Sequence, residues 1–245
     1  MPAPDYDLAA AGRAIAEPAR AAMLLRMMDG QAHTAKDLAA AAGLAPSAAT
    51  AHLRHLVDAR LVTATASGRQ KLHTLASPDV ATAIEALAAI SPLLPVESLR
   101  AARTGTRLQV ARACYSHLGG ALSVTIADRL VADGVIDALV RGEAGHVRSL
   151  QHPLLAALTI TELPPGSGPA VRGCLDWTEA APHLAGRLGS AILSALLDQK
   201  WLLRRPKDRA LTITDLGSAR LDELSLAPGA PGAPGAPGAR GRRAA

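Results

Sequence analysis

The sequence predicts a mainly α-helical fold carrying small β-hairpins, and three observations predict it. Alanine, the residue with the highest intrinsic helix propensity, recurs throughout, while aromatic residues make up 2% of the chain and phenylalanine is absent. Apolar residues return at helical spacing over several stretches. Between residues 62 and 75, alternation on either side of Ser67-Gly68-Arg69 reads instead as two short strands and a tip. With 49% hydrophobic residues in 245, the chain can bury one or two proper cores.

In order along the chain, Ile15, Ala19, Ala22, Met23, Leu25, Arg26 and Met27 predict a helix over 12–28, closed by Asp29-Gly30. Thr34 caps a second helix, with Asp37 three residues on in the position of a capping box and Leu38 on its inner face. Gly43-Leu44 ends that helix in a tight turn. Pro46 suits the first position of a third helix, because its missing N–H costs nothing there. Leu53, Leu56 and Val57 face inward on it, leaving Ser47, Thr50, Ala51, Arg54 and the edge residue His52 outside. The hairpin follows.

Helix, turn, helix and hairpin in this order make a winged helix-turn-helix. In that arrangement the third helix enters the major groove of DNA, where small residues near its start permit close approach. Ser47, Thr50, His52 and Arg54 are the candidate groove-reading residues, and Arg69 and Lys71 on the hairpin would meet the backbone or minor groove. The charge supports this mildly: +5 over the chain, and eight basic against six acidic side chains over residues 1–76.

The stretch from about Arg13 to Leu87 resembles the ArsR/SmtB family of bacterial winged-helix repressors, through AIAEPARAAMLLRMMDG, TAKDLAAAAGLAPSAATAHLRHLVDARLV and GRQKLHTLASPDV. The resemblance implies a homodimeric repressor that releases its operator when an effector binds, with dimerisation around the helix predicted over 80–90. Ala45 stands where the family commonly has a capping residue, which costs the third helix about 1 kcal/mol. The family's usual sensor positions are missing, since 35–39 holds no Cys-x-Cys and 79–90 no histidine.

Beyond Arg100 the chain carries an extension. HLGGALSVTIADRLVADGVI (117–136) and HLAGRLGSAILSALLDQKWL (183–202) align without a gap, pairing His117 with His183 and Gly120 with Gly186. Both copies have a helix pattern, and the second runs into a charged tip, 204–209, between apolar strands, so this domain reads as a degenerate winged-helix repeat. Cys114 and His117, three apart, would share a helix face, a spacing that suits a soft divalent metal or metalloid, and Cys174, Asp176 and His183 precede the second copy. If the repeats pack about a local twofold, these groups meet as a Cys2His2 or Cys2His-carboxylate site. The cysteines read first as small buried hydrophobes, and alternatively as redox or electrophile sensors. Tyr115, Trp177 and Trp201 can line an effector pocket or simply fill the core.

The organisation expected is a winged-helix domain over 1–90, a linker or helix over 91–111, an effector or dimerisation domain over 112–226, and a basic tail over 227–245 with four Ala-Pro-Gly repeats. No phosphate loop, nucleophile elbow or His-Glu-x-x-His motif points to an enzyme. Without a long apolar run or leader-like start, the expectation is a cytoplasmic protein that does not enter membranes. The reading is a sequence-specific regulator binding double-stranded operator DNA and an unknown small effector; the alternative is a winged-helix protein-interaction module without DNA binding.

Overall fold

The computed structural model describes residues 7–92 and 99–227, so the Ala-Pro-Gly tail lies outside the described residues. The predicted first helix is two: α1 (Leu8–Ile15) and α2 (Pro18–Met27). The expectation over 12–28 overlooked Pro18, which cannot donate into a continuing helix and instead takes the first position of a new one. The Glu17 carboxylate caps α2 by accepting from the Arg20 amide at 3.0 Å.

β1 (His33–Thr34) leads into α3 (Ala35–Ala41), where Thr34 and Asp37 form the reciprocal capping box. Gly43, at φ +67°, makes the turn into α4 (Pro46–Asp58), which has Pro46 at its start and no side-chain cap from Ala45. β2 (Val62–Ser67) and β3 (Gln70–Leu75) pair antiparallel from Val62 opposite Leu75 to Ser67 opposite Gln70, and β1 joins the far side of β3. α5 (Pro78–Ile90) follows, capped by Ser77. Met23, Leu24, Met27, Leu38, Leu53, Leu56, Val62, Leu75 and Ile84 close one apolar cluster among these elements. Each such large side chain contributes about 1.5–3 kcal/mol by leaving water.

The second half begins with α6 (Leu99–Val110) and then builds one unit twice. β4 (Arg112–Cys114) and β5 (His117–Gly119) form a hairpin that leads into α7 (Ala121–Ala132). After β6 (Ala144–Gly145) and α8 (Pro153–Ala157), β7 (Val171–Leu175) and β8 (Pro182–Ala185) form a second hairpin, leading into α9 (Gly186–Asp198). β9 (Leu202–Arg204) and β10 (Leu211–Ile213) make a last hairpin before α10 (Asp215–Glu223). The repeated segments were expected to be helical from their histidines, but both histidines lie in strands.

Gly120 and Gly186 explain the difference, because φ values of +93° and +84° let the chain step from strand to helix. A Cβ at Gly120 would stand 2.7 Å from the Gln109 carbonyl oxygen, and one at Gly186 would stand 2.8 Å from that of Pro169. The two units exchange helices: α9 packs on β5, α7 packs on β8, and the strands β5 and β8 touch. A second apolar cluster, from Ala111 to Leu226 in sequence, fills the space between them, with Leu122, Leu130, Leu188, Leu196 and Trp201 buried in it. Among the described residues, no helix is long and apolar enough to cross a membrane.

Candidate functional site

Two constellations stand out, one on the first domain and one where the domains meet. α4 turns Ala49, Leu53 and Leu56 into the core, so the helical period leaves Ser47, Thr50, Ala51 and Arg54 exposed on the other side. Thr50 and Arg54 face a concave surface of about 580 Å³ closed by Lys36 of α3 and by Gln70 and Lys71 of β3. Arg69 is exposed at the hairpin tip. His52 is half-buried on the flank, its Nδ1 3.3 Å from a Glu17 carboxylate oxygen, which ties it to the start of α2. Five of the six predicted contact residues are therefore exposed, and three of them share one concavity with Lys36.

The second constellation holds Cys114, His117, Cys174 and His183, whose ligand atoms all lie within 4.8 Å of one another and are all buried. They do not share a helix face. Cys114 sits opposite His117 across the β4–β5 hairpin, and Cys174 sits opposite His183 across β7–β8. Helical spacing misread this because a turn of two residues, Tyr115 and Ser116, also separates the pair by three positions. Contact between β5 and β8 then brings His117 Nε2 to 3.1 Å from His183 Nε2.

A buried frame fixes these groups. His183 Nδ1 lies 3.2 Å from Asp176, which lies 2.8 Å from Arg112, and all three side chains are fully buried. Asp176 also accepts from the Gly120 amide at 2.6 Å and from the Thr178 hydroxyl at 2.7 Å, so one carboxylate joins both repeats. Arg112 in turn donates to the Leu108 carbonyl and lies over the Trp177 ring at 4.8 Å. Although burial works against it, Asp176 is held far below the usual carboxylate range by His183 and Arg112. Burial likewise opposes the charge on His183, yet Asp176 and the Cys114 sulfur push it up to about 9. His117 is lowered by burial.

Facing the sulfurs is Glu85 of α5, a residue of the first domain. The Cys114 thiol donates to its Oε1 at 2.8 Å and the Cys174 thiol to its Oε2 at 3.0 Å. Burial, with the Cys114 sulfur beside it, raises Glu85 to about 8. The neighbouring Cys174 sulfur lowers Cys114, and the Cys114 sulfur together with burial raises Cys174. Thiolates and imidazoles at this separation match the donors of a borderline-soft divalent ion, and an Asp behind a His is the usual second layer of such sites.

A helix-turn-helix domain family model matches residues 15–64. The curated relative named as the uncharacterized HTH-type transcriptional regulator YdfF, from Bacillus subtilis (strain 168), is 35% identical over 211 residues, covering 85% of this chain and 92% of that protein. The chain belongs to the helix-turn-helix transcriptional regulators. The cadmium metal-sensor CMTR from Mycobacterium tuberculosis is 34% identical over 37% of this regulator and 94% of that chain, with a TM-score of 0.31. A homodimeric winged helix-turn-helix domain from Mycobacterium bovis, described as a possible ArsR-family regulator, is 26% identical over 33% of this regulator and 73% of that chain, also at 0.31.

Sequence reasoning missed Glu85 and Arg112 in this regulator. Glu85 is the one charged residue between Asp79 and Glu97, a lone carboxylate inside an apolar helix pattern, which was signal enough to question it. Arg112 precedes Cys114 as Arg172 precedes Cys174, but the ungapped alignment begins only at the histidines. The second turn, 176–181, is longer than the first and hides the match upstream. Of the three aromatic residues weighed for a pocket, Trp201 is core, Trp177 lies under Arg112, and Tyr115 lines a cavity beside Glu85.

Proposed function

We propose that the regulator is a dimeric, ArsR-type repressor that holds double-stranded operator DNA through α4 and the β2–β3 wing and releases it when an effector binds. The observation that carries this reading is the division of α4: leucines inward, and Ser47, Thr50 and Arg54 outward beside Lys71. A helix with that surface and a neighbouring basic hairpin offers both base-edge and phosphate contacts. Dimerisation rests on α5, where Leu87 and Ile90 are 42% and 77% exposed, an apolar strip with no partner among the described residues.

The test is binding to the chain's own promoter fragment at several salt concentrations. Affinity should fall steeply with salt, at a slope of about 0.9 per phosphate neutralised, and Arg54→Ala combined with Arg69→Ala should abolish sequence preference. Binding indifferent to salt and to both substitutions would overturn the reading in favour of a protein-interaction module.

A further inference from the structure

The four buried ligand atoms lie at the junction of the two domains, and α5 reaches them. α5 is fixed to the first domain by Ala81 and Ile84, which are buried in its apolar cluster. One residue on, Glu85 accepts a hydrogen bond from each cysteine of the second domain. The β4–β5 turn is fixed to the first domain a second time, because the Tyr115 amide donates to the Met28 carbonyl at 2.6 Å. The sulfurs are thus both the reactive groups of the site and the anchor of α5.

We propose that Cys114, His117, Cys174 and His183 bind a borderline-soft divalent cation of the zinc or cadmium type, and that Glu85 is a latch that the incoming ion releases. The inference deepens the effector-released reading above and names its effector class.

Binding replaces the ion's waters by two sulfurs and two imidazole nitrogens. Both sulfurs bind as thiolates and both Nε2 atoms without a proton, so every proton held on the sulfurs and between the imidazoles passes to solvent; the product is neutral at the metal, and nothing is oxidised or reduced. His117 Nε2 and His183 Nε2 already point at one another, so a tetrahedral ion separates two lone pairs that otherwise need a proton between them. Asp176 stays behind His183 and fixes its ring.

The same step removes both S–H donors from Glu85. Its carboxyl group then faces two metal-bound sulfurs that no longer donate to it. A cavity of about 470 Å³, lined by Glu85, Ala86, His117, Arg141, Arg172 and Cys174, gives it somewhere to turn and gives the ion a way in. α5 is left attached to its own domain alone, and the geometry of anything built on Leu87 and Ile90 is free to change.

The experiment uses the full chain, reduced and stripped of metal with a chelator. Titration with Co²⁺ should give a thiolate charge-transfer band and tetrahedral visible bands that saturate at one ion per chain and are displaced by Zn²⁺. Cys114→Ser and Cys174→Ser should each remove the charge-transfer intensity, and His183→Gln should alter the visible bands. Absence of the charge-transfer band in the unaltered protein would overturn the site.

The latch is read separately by hydrogen exchange of the α5 amides. Zn²⁺ should speed that exchange in the unaltered protein, whereas Glu85→Ala should exchange fast from the start and ignore Zn²⁺. Cobalt bands together with metal-insensitive α5 exchange would overturn the latch. Operator affinity should fall at least about fivefold with Zn²⁺, the low end of typical coupling between sites, and Glu85→Ala should lose that difference. Metal-responsive exchange in a protein that binds no DNA would support site and latch while defeating the operator reading.

Discussion

His117 and His183, sixty-six residues apart in sequence, meet where β5 touches β8, with ring centroids 5.0 Å apart and planes 33° from one another. Each comes from the second strand of a hairpin, opposite a cysteine on the first. The relationship joins the two copies at one place, because neither alone supplies more than two of the four clustered ligand atoms. It also places the pair beside α5, whose Glu85 accepts from both cysteines.

Arg54 and Lys71, two of the basic groups at the concavity, should behave differently in DNA binding. Lys71→Ala should weaken binding about equally on all sequences and reduce the salt slope by about one, the signature of a lost phosphate contact. Arg54→Ala should cost about 1–3 kcal/mol on the operator and much less on random DNA, if it reads a base edge. Fluorescence anisotropy with both DNAs over a salt series checks the contrast.

Arg112 is fully buried against Asp176, and its removal leaves a carboxylate without its partner in the protein interior. Arg112→Leu should lower the unfolding free energy by about 3–5 kcal/mol. Denaturant unfolding should show the loss in the midpoint. A loss below about 1 kcal/mol would mean that the frame behind His183 is not structural.

The exposed strip on α5 gives a third expectation. Leu87→Glu with Ile90→Glu should shift the protein toward monomer in sedimentation while leaving its thermal unfolding close to that of the parent, since both residues lie outside the apolar cluster. Operator affinity should fall with the dimer, because half-sites are read in pairs.

Asp29 supplies the pH dependence. Despite burial, hydrogen bonds from His33 and the Gln31 amide, and the charge of Arg26, hold it below its ordinary 3.8. A lowered carboxylate means that the unfolded chain takes up its proton first as pH falls. The stabilisation is therefore present in full above the unfolded value and is lost as pH drops through the folded one. The stability difference between the unaltered protein and Asp29→Asn should be constant above about pH 5 and shrink steadily below about pH 4. Thermal melts over that range test the sign.

Much of the first domain is written locally. The capping box at Thr34, Pro46 at the start of α4 and the alternation around Ser67-Gly68-Arg69 each state a boundary within a few residues. Pro18 stated one too, and the helical spacing around it drew attention away. The second domain is less legible, because its short strands hold only two to five residues and share their apolar residues with the helices that follow. Three-residue spacing in Cys114-Tyr115-Ser116-His117 fits a helix turn as well as a two-residue hairpin, and only tertiary pairing decides between them. The link through Glu85 depends on packing between distant segments, which no local pattern encodes.

The most direct measurement of the central claim is site-directed DNA cleavage. With Cys114 and Cys174 both changed to Ser, a cysteine placed at exposed Thr50 is the one thiol to couple to a DNA-cleaving reagent, with Thr82→Cys on α5 as the control. On the promoter fragment, the Thr50 conjugate should cut at discrete positions within the major groove of each half-site, and the Thr82 conjugate should not. Cutting from Thr82 with none from Thr50 would contradict the assignment of α4 as the helix that meets DNA.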